Sequence, residues 1–360
     1  MQSAIQATRN HFKILDGLRG VAAISVVIYH FMEFVVPDYH NNFIAHGHLA
    51  VDFFFCLSGF VIAYAYDKRI EQIGILAFLS LRIIRLHPLV IIGSVIGLLA
   101  FLYDPFSNLN LKYSSSTTIL MFLASCFLIP FQTVPERFSN FFHLNPPTWS
   151  LFWEYVANMC YALFLFKISN KLLWILLVSA AVLLCYEANS SGYLGVGWGG
   201  DNFWGGGIRI FYSFLAGILI FRSGWIIKSR LGFGLISLLL FIVFLIPFEE
   251  KTNYFIDPAI VIFYFPFLIT IGAGAMITDR WEKVCKFLGD TSYPLYMIHY
   301  PFMWIFLSFI ESEKPTLETM VLIIVAGTIM LIIMAYLVFI YLDEPIRWYL
   351  KKRAANVKAE

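Results

Sequence analysis

Arg19 and His30 stand eleven residues apart in ILDGLRGVAAISVVIYHF, residues 14–31. Eleven steps of a helix overshoot three full turns by about 20°, so the two side chains share a face, about 16 Å apart along the axis. The segment is otherwise apolar. Ionisable groups are costly in such a segment, which marks them as functional candidates. Arg19, near one end, suits an anion. His30, past the middle, suits proton transfer. The plainer alternatives are an arginine that snorkels to the interface and a histidine hydrogen-bonded in the core.

Four other stretches carry similar residues. In HLAVDFFFCLSGF (48–60), Asp52 falls about one turn into a span, in the same outer half as His30. It is expected to orient the imidazole, or else to cap its own helix. Ser58 and Gly59 suit close helix approach rather than nucleophilic chemistry. In LRIIRLHP (81–88), Arg82 and Arg85 share a face, and two guanidinium forks suit phosphate. They also fit an ordinary positive-inside signal. Together with Arg19 they would make a three-arginine rim for a polyanionic donor. In PPTWSLFWEY (146–155), Glu154 is expected on the outer side, where it would bind sugar hydroxyls while Trp149 and Trp153 stack on sugar rings. A tryptophan belt with a hydrogen-bonded acid is the alternative. In SYPLYMIHYP (292–301), Tyr296 and His299 share a face, as a structural pair or as substrate contacts.

These groups need helices to hold them. The chain has 360 residues, is 60% hydrophobic and 13% charged, and has a mean hydropathy of +0.76. That is too little polar surface for a water-soluble domain. The sequence predicts an all-α, polytopic integral membrane protein of one domain, residues 1–360. Apolar runs fall near 15–36, 49–66, 86–103, 118–131, 149–167, 172–187, 207–222, 231–248, 258–277, 291–310 and 319–342. Basic loops alternate with acidic or neutral ones only if one early run does not cross. The short run 118–131, ending at Pro130, is expected to be re-entrant or broken. About ten transmembrane helices remain. Both termini are then cytoplasmic: residues 1–14 with Arg9 and Lys13, and the basic tail 343–360 with Lys351, Lys352 and Arg353. The net charge of +2 argues against a nucleic-acid partner. The five cysteines are unpaired in spacing and point to neither zinc nor a disulfide framework.

The stretches LDGLRGVAAISVVIYH, AVDFFFCLSGFVI, LRIIRLHP, TWSLFWEY, SYPLYMIHYPF and the closing LDEPIRWYL resemble, together and in order, membrane acyltransferase family 3. This is the O-antigen acetylase type, in its form with the membrane domain standing alone. The resemblance implies acyl transfer, usually of acetyl, from cytoplasmic acyl-CoA to hydroxyls of an extracytoplasmic glycan or lipid-linked saccharide. It implies a bacterial inner membrane, and no metal is expected. It places the essential pair on Arg19 and His30, the carboxylate on Asp52, the paired arginines on Arg82 and Arg85, and the acid on Glu154. The chain departs from the family pattern just after Glu154.

On this reading the arginine rim holds the donor's phosphates and a pantetheine arm runs up one common passage to His30. There His30 acts as general base, with Asp52 orienting it, or forms an acyl-histidine. A proton-coupled transporter with an intramembrane His/Asp relay is the other class. The inverted repeat common in such carriers is not evident. The sequence leaves the acceptor, the acyl length and a homo-oligomer open.

Overall fold

The computed structural model describes residues 12–356, so Arg9 and the last four residues lie outside it. No strand occurs among the described residues. The helices are α1 (Lys13–Val35), α2 (Ala50–Tyr66), α3 (Ile70–Ile73), α4 (Ile75–Leu102), α5 (Ser115–Cys126), α6 (Thr148–Leu163), α7 (Asn170–Ser191), α8 (Phe203–Arg222), α9 (Phe233–Phe244), α10 (Glu250–Ala259), α11 (Phe265–Ala273), α12 (Asp279–Ile298), α13 (Tyr300–Glu313), α14 (Leu317–Val338) and α15 (Glu344–Asn356).

Seven stretches have the length and hydropathy of a full span: α1, Ala45–Tyr66, α4, α7, α8, Glu250–Ala273 and Leu317–Ala354. The protein is a multi-pass membrane protein. The other three expected spans are shorter or interrupted. α6 has 16 residues, α9 has 12, and the run 291–310 is divided at His299 between α12 and α13. The segment expected not to cross is α5, with 12 residues. That is about 18 Å of helix against about 30 Å of hydrocarbon. One boundary differs more. α4 starts at Ile75 rather than near 86, because Gly74, at φ 82°, turns the chain from α3 directly into a new helix. Arg82 and Arg85 therefore ride on a helix rather than in a loop.

α1 packs along α12, and α2 along α8. The α2–α8 pair is close because each helix offers a glycine at the crossing. A Cβ on Gly59 would stand 2.1 Å from the Phe214 carbonyl oxygen, and one on Gly217 would stand 2.0 Å from that of Cys56. Ion pairs tie this pair at both ends, Asp52 to Arg209 at 2.6 Å and Asp67 to Arg222 at 2.7 Å. α12 is built differently. Pro294 lies inside it, the helix stops at Ile298, and Pro301 opens α13. A proline removes one backbone donor and crowds the preceding turn. α14 lies at the periphery with most of its surface uncovered, as a lipid-facing helix requires.

Candidate functional site

α1 delivers Arg19 into one cavity and His30 into another. The first, of about 250 Å³, is lined by Arg19, Arg82, Arg85, Ser58 and Glu154, with an apolar wall that includes Phe54, Phe55 and Val61. Arg19 is fixed by α12: its Nε donates to Ser292 Oγ at 2.8 Å and its Nη2 to the Gly289 carbonyl at 2.8 Å. Arg82 Nη2 lies 3.3 Å from Glu154 Oε1, while its Nε is buried without a partner. Glu154 Oε1 also accepts from Ser58 at 2.5 Å and from Asn158 at 3.0 Å. Arg85 is half-buried and stands over the Tyr293 ring at 6.0 Å. The three guanidiniums share one chamber, and a single buried carboxylate faces Arg82.

The second cavity, of about 300 Å³, is lined by His30, Glu33, His48, Trp149, Trp198 and Arg209, among others. His30 Nδ1 is bonded to Glu33 Oε2 at 2.5 Å. Glu33 Oε1 accepts from Tyr39 at 3.0 Å, and the Tyr39 and Tyr29 hydroxyls are 3.0 Å apart. With Nδ1 committed to a carboxylate, Nε2 is the nitrogen left for a substrate proton. His299 stacks on the His30 ring at 5.4 Å and is fully buried. Its Nδ1 donates to the Tyr296 carbonyl at 2.8 Å, which leaves the Nε2 lone pair buried and unpartnered. His30, Glu33 and Tyr39 thus have the geometry that a general base would use: an imidazole oriented by an acid that is itself held.

The acyltransferase-domain family profile matches residues 12–340, which include both cavities. The chain belongs to this acyltransferase family. A Rhizobium radiobacter protein named as protein 2 of the picA locus is 33% identical over 192 residues, 51% of this chain and 97% of that protein. A Staphylococcus aureus protein provisionally named an O-acetyltransferase is 24% identical over 370 residues, 92% of this chain. The chain spans 57% of that relative's length. No solved structure matches the chain.

In this acyltransferase three expectations about geometry are corrected. Asp52 makes no hydrogen bond to His30 among the described residues. Its carboxylate is gripped by Arg209, through Nε at 3.2 Å to each oxygen and Nη2 at 2.6 Å. The same guanidinium donates to the Val196 and His48 carbonyls and stands over the Trp149 ring. Asp52 is fully buried in the first turn of α2, and a buried carboxylate requires a matched cation. α8 supplies it. Glu154 does not sit with the outer tryptophans. It is five residues after Trp149, hence about 140° round α6 and about 7.5 Å along it, and it opens into the arginine cavity instead. The single passage expected between Arg19 and His30 is two chambers, whose linings share Val51 and Tyr296. Tyr296 therefore stands on the dividing wall, and His299 lies beneath His30 and lines neither of these two cavities. Trp149 does line the His30 cavity.

Sequence reasoning missed Glu33, Arg209 and the pair His48–Asp257, in which His48 Nε2 meets Asp257 Oδ2 at 3.0 Å and His48 Nδ1 the Ala45 carbonyl at 3.1 Å. Glu33 carried a signal, since a position three after His30 lies on the same helix face. Arg209 carried another, as an arginine inside an apolar run. Asp257 is far from His48 in sequence, and no spacing rule joins them.

Proposed function

We propose that this acyltransferase moves an acyl group, most simply acetyl, from cytoplasmic acyl-CoA to a hydroxyl of an extracytoplasmic glycan or lipid-linked saccharide in the bacterial inner membrane. One observation carries the reading: a single helix presents Arg19 to a cationic, largely apolar chamber and, about three turns further along, His30 to an aromatic, polar chamber. The arginine chamber fits a phosphate-bearing thioester. Three guanidiniums meet there, one with an unpartnered buried Nε, beside an apolar wall suited to a thin aliphatic arm. Trp149 and Trp198 beside His30 suit a saccharide.

In the transfer step His30 Nε2 removes the proton from the acceptor hydroxyl as its oxygen bonds to the thioester carbonyl. The C–S bond then breaks, and the imidazolium returns that proton to the departing thiolate. Glu33 holds Nδ1–H and stabilises the imidazolium between these events, while Tyr39 holds Glu33.

The test uses the protein in lipid nanodiscs with radiolabelled acetyl-CoA. The expected result is slow release of free coenzyme A alone, and labelled acceptor when envelope glycans are supplied. A His30→Gln variant that inserts normally should do neither. Normal turnover by that variant removes His30 from the chemistry, and a wild-type protein that moves protons but no label is a carrier instead. Loss of acetyl from envelope glycans on deletion of the gene would identify the acceptor class.

A further inference from the structure

Val51 of α2 and Tyr296 of α12 line both chambers, so the two cavities approach each other at this pair. We propose that these two side chains form the port through which the acyl group reaches His30, and that the width of this port restricts the enzyme to short acyl chains. The inference rests on the acyl-CoA reading above and gives it a specificity determinant.

The boundary is a physical latch. The Tyr296 hydroxyl bonds Ser150 Oγ at 2.8 Å, and Ser150 lines the arginine chamber. Ser150 Oγ in turn donates to the Pro147 carbonyl at 2.8 Å, and Pro147 lines the His30 chamber. The Tyr296 ring meets Phe54 edge-on at 5.6 Å. The phenol's bonds run to neutral groups, Ser150 Oγ and, at 3.5 Å, the Pro147 carbonyl, and neutral hydrogen bonds are weak net restraints.

The two jambs differ in stiffness. Val51 adjoins Asp52 and sits on the helix pair tied by Asp52–Arg209 and Asp67–Arg222. Tyr296 sits two residues after Pro294 and just before the helix break at His299. Tyr296 is therefore the side that yields. A gap between a branched aliphatic side chain and a phenol admits a carbonyl with a methyl most readily. Each further methylene must push the phenol further from Ser150, and packed interiors resist added volume.

The experiment compares acetyl-CoA with butyryl-CoA as donors for wild type, Val51→Ala, Val51→Phe and Tyr296→Phe, alongside coenzyme A binding. Val51→Ala should raise the butyryl-to-acetyl rate ratio about tenfold, the effect expected of one or two methylenes in a fitted pocket. Tyr296→Phe should raise it by a smaller factor. Val51→Phe should slow acetyl transfer while coenzyme A still binds. Val51→Ala and Tyr296→Phe only remove atoms, so unchanged coenzyme A binding reports their fold even if the larger variant does not insert. An unchanged ratio in both, with normal coenzyme A binding, overturns the port and leaves the donor reading standing. A wild-type protein that binds no coenzyme A overturns both.

Discussion

The arginine chamber and the histidine chamber solve opposite problems. In the first, Arg85 is only half-buried, Arg82 keeps a nitrogen unpartnered, and the facing acids are Glu154 at Arg82 and Asp16, 3.7 Å from Arg19. In the second, the polar side chains are matched: His30 by Glu33, Arg209 by Asp52, His48 by Asp257. A chamber that must capture a mobile, multiply charged molecule keeps donors in reserve. A chamber that must position one proton acceptor uses up its hydrogen bonds in advance, so that little rearrangement is left for the moment of reaction. Substitutions should therefore fall into two classes, binding at the arginine end and turnover at the histidine end.

The sharpest break is at His30. His30→Gln should lower kcat by about 10³-fold, the range of a lost general base, with donor binding unchanged; calorimetry with coenzyme A and a transfer assay together check it. Next is Arg209→Met, which strands a buried carboxylate. It should cost about 3 kcal/mol or more of stability, read as a lower melting temperature in detergent, and Asp52→Leu in the same chain should restore much of it. If Asp52 were instead His30's partner, Arg209→Met would spare the fold and change the pH profile. Glu33→Gln should lower kcat by about tenfold to a hundredfold, as removal of a group that orients a reactive ligand does, with the KM for the donor held. At the other end, Arg85→Met should raise that KM by about fivefold, within the range of one ordinary net hydrogen bond, with kcat held and a milder effect on a donor lacking a phosphate. A kcat effect there would merge the two classes.

The smallest effect belongs outside both chambers. The Lys112 ammonium, bonded to Glu136 at 2.9 Å, holds the Glu136 carboxyl at about 2, below its ordinary 4.5. A lowered carboxyl stabilises the fold above its unfolded value and loses that contribution as pH falls from about 4.5 toward 2. The pair is solvent-exposed and screened. Glu136→Gln should barely move the melting temperature at neutral pH and leave turnover untouched.

Much of this was legible from spacing, and what was not shares a cause. The arginine–histidine face, the paired arginines and the apolar runs are periodic features of single helices, which a sequence displays directly. The partner of a buried charge is decided by which helices pack. Chain direction puts Asp52 and His30 in one expected half of the membrane, yet depth is not contact, and the glycines at 59 and 217 bring Arg209 to Asp52. Glu154 was misplaced because chain direction gives depth along a helix but not the side from which it opens. The early start of α4 was hidden because polar and basic residues at 68–85 suppress an apolar signal without breaking a helix.

The α2–α8 pair, pinned at both ends and glycine-tight in its middle, has a dynamic consequence. A catalyst that opens and closes around a travelling group needs one wall that keeps still, and these helices are that reference. Amide exchange should find 50–66 and 203–222 among the slowest segments in the protein and the backbone around Pro294 to Pro301 markedly faster. The enzyme's breathing would then centre on a helix whose hydrogen-bond ladder Pro294 already interrupts.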